Sequence, residues 1–324
     1  MDYIIFIFSA VLVIYSGIKL SEYGDLIAIK TSLGHSFIGV TLIALFTSLP
    51  ELISSIGSVT IVKAPDLAMG NVYGSNMFNM LIIFFLDALF KKDSVFKEVS
   101  LSNFVTAIFA VLLGSVSILG FIMDVTFLEY MSVVSIAIFV IYILSMYSAY
   151  RSIEKVEPEA EEKSVDIPLK KAIFMFGLMA IIIIFAGLMM SKSADEIAQT
   201  SGLGRTVIGS FLLAVVTSLP EVSACIGAVK VGAVNMAVGN LFGSNVFNMT
   251  VIPVADIFYT SGNIFKNVNS IHLFSATSSC IVVLIAMLGI KQDKLSKFRF
   301  GHVSLYSVYI LMFYVLYFVV LTRG

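Results

Sequence analysis

The string Thr-Ser-Leu-Pro-Glu occurs twice, at residues 47–51 and 217–221, each time inside a long apolar run. Each copy is followed by a second matched string, GNVYGSNMFNM at 70–80 and GNLFGSNVFNM at 239–249. Between 33–59 and 203–229, 14 of 27 positions are identical at a constant offset of 170, including Gly34, Gly39 and Gly57. What is duplicated is therefore a whole helix pair. Self-similarity of this kind restricts the architecture before any local propensity is weighed.

Composition supplies the solvent. With 59% hydrophobic residues, 13% charged residues and a mean hydropathy of +1.01, a chain of 324 residues has too little polar surface to cover a water-soluble domain. Crossing the hydrocarbon takes roughly 20 apolar residues in a helix. Ten segments have that length: Ile4–Leu20, Phe37–Val62, Leu67–Phe90, Leu101–Ile122, Phe127–Tyr150, Leu169–Met190, Val207–Val229, Ala233–Phe258, Ile271–Ile290 and Val303–Leu321. The first has only Met1 and Asp2 before it and no basic flank, so it reads as a retained helix rather than a cleaved signal peptide.

Residues 151–168 carry six acidic and three basic residues plus Pro158, the composition of a solvated linker. They divide the chain into a first half, 1–150, and a second half, 169–324, of five helices each. Because five is odd, the halves cross the membrane in opposite senses. The expected fold is an all-α membrane protein of ten transmembrane helices in two inverted five-helix repeats. With both termini outside the cell, 15 of the 20 basic residues fall in cytoplasmic loops, which the positive-inside rule favours. The expected location is the cell membrane, with multiple passes.

The motifs point to a cation. Pro50 and Pro220 have no amide hydrogen, so the carbonyls of Phe46 and Val216 lose their helical partners, and such oxygens persist in a membrane where they line a polar cavity. Thr47 and Ser48 precede Glu51 by one turn, as Thr217 and Ser218 precede Glu221, so hydroxyl, carbonyl and carboxylate oxygens converge. Gly70, Gly74, Gly239 and Gly243 let helices approach closely, turning Ser75, Asn76 and Asn79, and Ser244, Asn245 and Asn248, inward as further oxygen donors. A hard divalent cation such as calcium takes 6 to 8 oxygens. Sodium or protons can equally neutralise the two acids. His35, His272 and His302 lie near helix ends and form no Cys/His cluster, which argues against zinc or copper. Cys225 and Cys280 read as packing thiols. Asp87 and Asp256, at equivalent positions near helix ends, read as interfacial groups in contact with water.

These strings resemble the alpha-repeats of the sodium/calcium exchanger family, prokaryotic type, in the cation/calcium antiporter superfamily, and the ten-helix inverted plan is similar over nearly the whole chain. The resemblance implies electrogenic exchange of sodium for calcium by alternating access. It implies Glu51 and Glu221 as central calcium ligands, Thr47, Ser48, Thr217 and Ser218 as further ligands, and Ser75, Asn79, Ser244 and Asn248 as ligands of flanking sodium sites. Two departures stand out. The family's glycine before TSLPE is here Phe46 or Val216, whose bulk is expected to narrow the cavity or reshape the sodium sites. Asn248 stands where relatives carry an aspartate, which leaves two formal charges and keeps a calcium or other divalent cation/proton antiporter open as the alternative. A channel of one chain does not require inverted halves, and a scaffold has no need of midplane acids. No HExxH, GxSxG or P-loop string marks an enzyme. No cofactor and no nucleic-acid partner is expected: calcium and sodium are substrates, the bilayer is the solvent, and the chain is expected to act as a monomer.

Overall fold

The computed structural model describes residues 2–31, 33–89, 94–123, 126–127, 131–151, 167–200, 214–292, 299–300 and 303–323. Nine helices among them are long and apolar enough to cross a membrane. The predicted seventh span begins outside the described residues, and its described part comprises residues 214–217 and Leu219–Lys230. Residues 152–166 of the predicted linker also lie outside them.

Helix α1 (Asp2–Thr31) runs well past the expected end at Leu20, because Ser21 to Thr31 contain no breaker apart from Gly24 and the turn at Leu20 is carried on by a Lys19–Glu22 ion pair. The second span is not one helix. It is built from α2 (His35–Ile38), a π-helical segment Gly39–Ile43, α3 (Ala44–Thr47) and α4 (Leu49–Thr60). Then follow α5 (Pro65–Leu89), α6 (Leu101–Ile122) and α7 (Val133–Arg151), which complete the first half. The second half comprises α8 (Leu169–Thr200), α9 (Leu219–Lys230), α10 (Val234–Phe258), α11 (Ile271–Gln292) and α12 (Leu305–Arg323).

Among the described residues, short strands pair at two equivalent places. Thr126–Phe127 pairs with Met131–Ser132 just before α7, and Arg299–Phe300 pairs with Val303–Ser304 just before α12, both antiparallel.

The breaks in the second span and in its repeat partner have a local cause. Ser48 sits at φ −92°, ψ 3° and Ser218 at φ −86°, ψ 4°, the sparsely populated bridge region, and each proline follows in the first turn of the next helix. There its missing N–H costs nothing, since first-turn amides have no partner within the helix. Helix α10 crosses the π segment backbone to backbone: a Cβ at Gly39 would lie 2.3 Å from the Met236 carbonyl, and one at Gly243 would lie 2.4 Å from the Val40 carbonyl. Only glycine fits at either contact. Helices α5 and α10 thus occupy the centre, while the long α1 and α8 pack along each other outside them.

The last helix of each half is held by the other half. Asp87 in α5 accepts hydrogen bonds from Val95 N (2.8 Å), Ser304 N (2.7 Å) and Ser307 Oγ (2.6 Å) at the start of α12. Asp256 in α10 accepts from Ile264 N (3.1 Å), Ser132 N (2.7 Å) and Ser135 Oγ (2.6 Å) at the start of α7. The expectation that these acids are solvated at the interface is therefore corrected. Both are 0% exposed, and the two backbone amides and one hydroxyl at each replace water.

Candidate cation-binding site

At the broken helices the two halves present their acids to each other's hydroxyls. Glu51 and Glu221 are both 0% exposed. Ser48 Oγ donates to Glu221 Oε1 at 2.7 Å, Ser218 Oγ donates to Glu51 Oε1 at 3.4 Å, and Ser244 Oγ adds a third bond to Glu221 Oε1 at 3.2 Å. Each carboxylate thus has one oxygen engaged across the interface. The other, Oε2, has no hydrogen-bond partner among the described residues in either glutamate.

The asparagines of α5 and α10 form a second pseudo-symmetric layer. Asn79 Nδ2 donates to Asn245 Oδ1 at 3.0 Å, and Asn248 Nδ2 donates to Asn76 Oδ1 at 3.2 Å. Asn76 and Asn245 also exchange amide-to-carbonyl bonds at 3.4 and 3.3 Å. This lattice fixes the amide orientations and leaves Asn79 Oδ1 and Asn248 Oδ1 without a partner, together with Ser75 Oγ. Among the described residues, five buried oxygens around one interface therefore lack a partner, four of them in two equivalent pairs, on Glu51 and Glu221 and on Asn79 and Asn248. Buried polar atoms are almost always satisfied, so such a concentration marks a place where something other than protein supplies the partner. Four of them, two on carboxylates and two on amides, can only accept, and with the lone pairs of the Ser75 hydroxyl they match a hard cation.

The threonines take both of the roles open to a membrane hydroxyl. Thr47 Oγ1 lies 3.0 Å from the Ile43 carbonyl on its own helix and 3.2 Å from Asn240 Oδ1 of the other half. Thr217 Oγ1 lies 3.3 Å from the Ala214 carbonyl and 3.1 Å from Asn71 Oδ1. Asn71 and Asn240 escape the sequence reading. Their signal is their identical place, directly after the first glycine of each GNxxGSN string.

Phe46 and Val216 do not narrow the cage. The Phe46 ring meets Phe176 of α8 edge-on, with centroids 5.9 Å apart, and Val216 packs with Val13 of α1 and Ala186 and Met190 of α8. Both side chains fill the boundary between the broken helices and the outer pair α1 and α8, because on each broken helix they sit next to the site-facing threonine and so point elsewhere. What either can offer an ion is its backbone carbonyl, opposite a proline nitrogen that has no hydrogen.

With this arrangement in view, comparison with known proteins decides the family. The sequence model of the "Sodium/calcium exchanger protein" family matches residues 1–151 and 171–323. The chain belongs to the sodium/calcium exchanger family. Membership makes it a cation antiporter of the calcium-exchanging kind and a multi-pass membrane protein, as the motifs indicated. Among curated exchanger relatives, sodium/calcium exchanger MaX1 of Methanosarcina acetivorans is 28% identical over 313 residues, covering 84% of this chain and 87% of that protein. Inner membrane protein YrbG of Escherichia coli (strain K12) is 28% identical over 269 residues, 78% of each chain. The solved structure of the sodium-calcium exchanger NCX_Mj soaked with 10 mM Na+ and zero Ca2+ superimposes with a TM-score of 0.72 at 19% identity, covering 97% of both chains. That likeness establishes the exchanger fold, two inverted repeats of five membrane helices.

Proposed function

We propose that this exchanger moves calcium against sodium across the cell membrane by alternating access, with one cation site at the interface of the halves 1–150 and 169–324 and residues 151–168 as a cytoplasmic linker. The observation that carries the reading is the set of five unpartnered oxygens, on Glu51, Glu221, Ser75, Asn79 and Asn248, around that interface. Glu51 and Glu221 are the shared calcium ligands. Thr47, Ser48, Thr217 and Ser218 complete that shell, with the carbonyls of Phe46 and Val216. Ser75, Asn79, Ser244 and Asn248 serve the flanking sodium positions. Both termini are extracellular, and the chain works as a monomer in the bilayer.

Alternating access draws support from an inequality between the repeats. Gly17 of α1 and Gly187 of α8 are equivalent at the offset of 170. A Cβ on Gly187 would meet Pro50 at 2.8 Å, whereas one on Gly17 would meet Ser223 Oγ and the Ala224 nitrogen. Ser223 and Ala224 lie three and four residues beyond Pro220, the equivalent of Pro50. So α1 rides about one helical turn, roughly 5 Å, farther along α9 than α8 does along α4. Ser21 Oγ of α1 donates to the Ala224 carbonyl at 2.6 Å, while its equivalent in α8, Ser191 Oγ, is buried without a partner among the described residues. An inverted repeat reaches its opposite-facing state by exchanging the conformations of its halves, and a one-turn slip of α1 and α8 performs that exchange without dismantling the cage.

Flux in reconstituted vesicles tests the proposal. Calcium uptake driven by an outward sodium gradient supports it. Uptake driven by a proton gradient and indifferent to sodium replaces sodium with protons, the reading that Asn248 in place of an acid favours. Uptake without any counter-ion overturns antiport.

A further inference from the structure

Asn71 and Asn240 are buried, at 0% and 1% exposure, and neither is among the ion ligands above. Their amide orientations follow from their neighbours. Asn71 Nδ2 lies 3.2 Å from the Glu51 carbonyl oxygen and 3.1 Å from Ser55 Oγ. A carbonyl only accepts, so this end of the amide is the NH2 group and the other end, Oδ1, accepts from Thr217 of the second half. Asn240 repeats the arrangement in reverse. Its Oδ1 accepts from Thr47 of the first half, and its Nδ2 reaches Cys225 Sγ at 3.6 Å, while Cys225 Sγ donates to the Ala237 carbonyl at 3.5 Å.

A threonine hydroxyl has one hydrogen, and a cation needs oxygen lone pairs. Each binding threonine must therefore direct its hydrogen away from the ion. Returned to a carbonyl of its own helix, the common habit of membrane threonines, the hydrogen would leave each broken helix free to move relative to the other half. Given to the asparagine opposite, it ties the broken helix of one half to the unbroken α5 or α10 of the other. Asn71 does more, since the same amide also holds the Glu51 backbone.

On the reading of this interface as the transport site, we infer that Asn71 and Asn240 are positioning residues. Each accepts the hydroxyl hydrogen of the opposite threonine, and together they fix the separation of the two ligand sets, which sets how the site discriminates calcium from sodium. The halves are unequal in this respect. Ser55 and Cys225 are equivalent at the offset of 170, so the second half has a longer, softer contact where the first has a hydroxyl.

Equilibrium binding of calcium and of sodium to the purified full-length protein tests this. A neutral hydrogen bond is worth about 0.5–1.5 kcal/mol, a factor of about 2 to 10. Asn71→Leu and Thr217→Val should each weaken calcium binding by about that factor and shift the calcium-to-sodium affinity ratio. The double variant should be weakened by less than the product of the two single effects, since each single substitution already removes the shared Asn71–Thr217 bond. Asn71→Leu combined with Thr47→Val, which removes two different bonds, should show multiplied effects. Cys225→Ser gives Asn240 the partner that Asn71 has and should raise calcium affinity about twofold or more. Cys225→Ser keeps both asparagines and every proposed ion ligand, so it decides the matter even if Asn71→Leu fails to fold. Multiplying effects of Asn71→Leu and Thr217→Val, an unmoved affinity ratio in Thr217→Val, or no gain from Cys225→Ser overturns the inference. Wild-type protein that binds neither ion overturns the functional reading and this inference with it.

Discussion

Ser48 Oγ in the first half donates to Glu221 Oε1 in the second at 2.7 Å, so the hydroxyl of one TSLPE string is spent on the acid of the other. The two acids therefore meet at one interface, and the proposal makes them a single site. Glu51→Gln or Glu221→Gln keeps the size of the side chain and removes half of the formal charge. Loss of a charge-assisted interaction costs about 1.5–3 kcal/mol, so calcium uptake should fall by about 10- to 100-fold in either variant. Uptake is measured in vesicles, with elution as a folded species as the control. Wild-type uptake by both variants would remove the acids from the site.

Asn248→Asp places a carboxylate at one of the unpartnered oxygens. It should steepen the sodium dependence of calcium transport, or create such dependence where protons drive the native protein. Phe46→Gly should leave ion dependence unchanged. Its ring lies against Phe176, so the expected effect is lost packing, seen as a lower unfolding temperature. A change of coupling ion in Phe46→Gly and none in Asn248→Asp would reverse this assignment.

The slip of α1 and α8 predicts an exchange of contacts. Cysteines at positions 21 and 224 should cross-link under the ionic condition that favours the present arrangement. Cysteines at 191 and 54, the equivalent pair, should cross-link under the opposite one. Sodium and calcium should move the two yields in opposite directions. Equal yields for both pairs in every condition would rule out the slip.

Asp87→Asn and Asp256→Asn each keep the shape of the side chain but weaken three hydrogen bonds to a buried charge. Each should lower stability by about 2–4 kcal/mol, while the folded fraction keeps its native half-saturating calcium and sodium concentrations. Altered ion affinity without a loss of stability would make these acids part of the ion path.

The repeat was legible in the sequence because its signal lies in identical strings. That Glu51, Glu221 and the asparagines gather inside the membrane was legible because intramembrane acids and amides without basic partners rarely face lipid. Asp87 and Asp256 were misread. Proximity to a helix end suggests water, and the donors that replace it, a loop amide of the same half and an amide and a hydroxyl from the start of the other half's last helix, are invisible to hydropathy. The side-chain direction of Phe46 was lost for a similar reason. A residue beside a break in a helix can point to either side of it, and the packing of α8 decides which. Asn71 went unassigned because its partner, Thr217, lies 146 positions away.

The exchanged last helices also bear on how the protein is made. Ser135 leaves the ribosome 121 residues before Asp256, and Asp87 precedes Ser304 by 217. At about 5–20 residues per second, α7 waits roughly 6–24 s for its acceptor, and Asp87 waits longer still for two of its three donors. Neither half can close before almost the whole chain is in the membrane, so truncation anywhere before α12 should leave an acid exposed to lipid and a product marked for degradation.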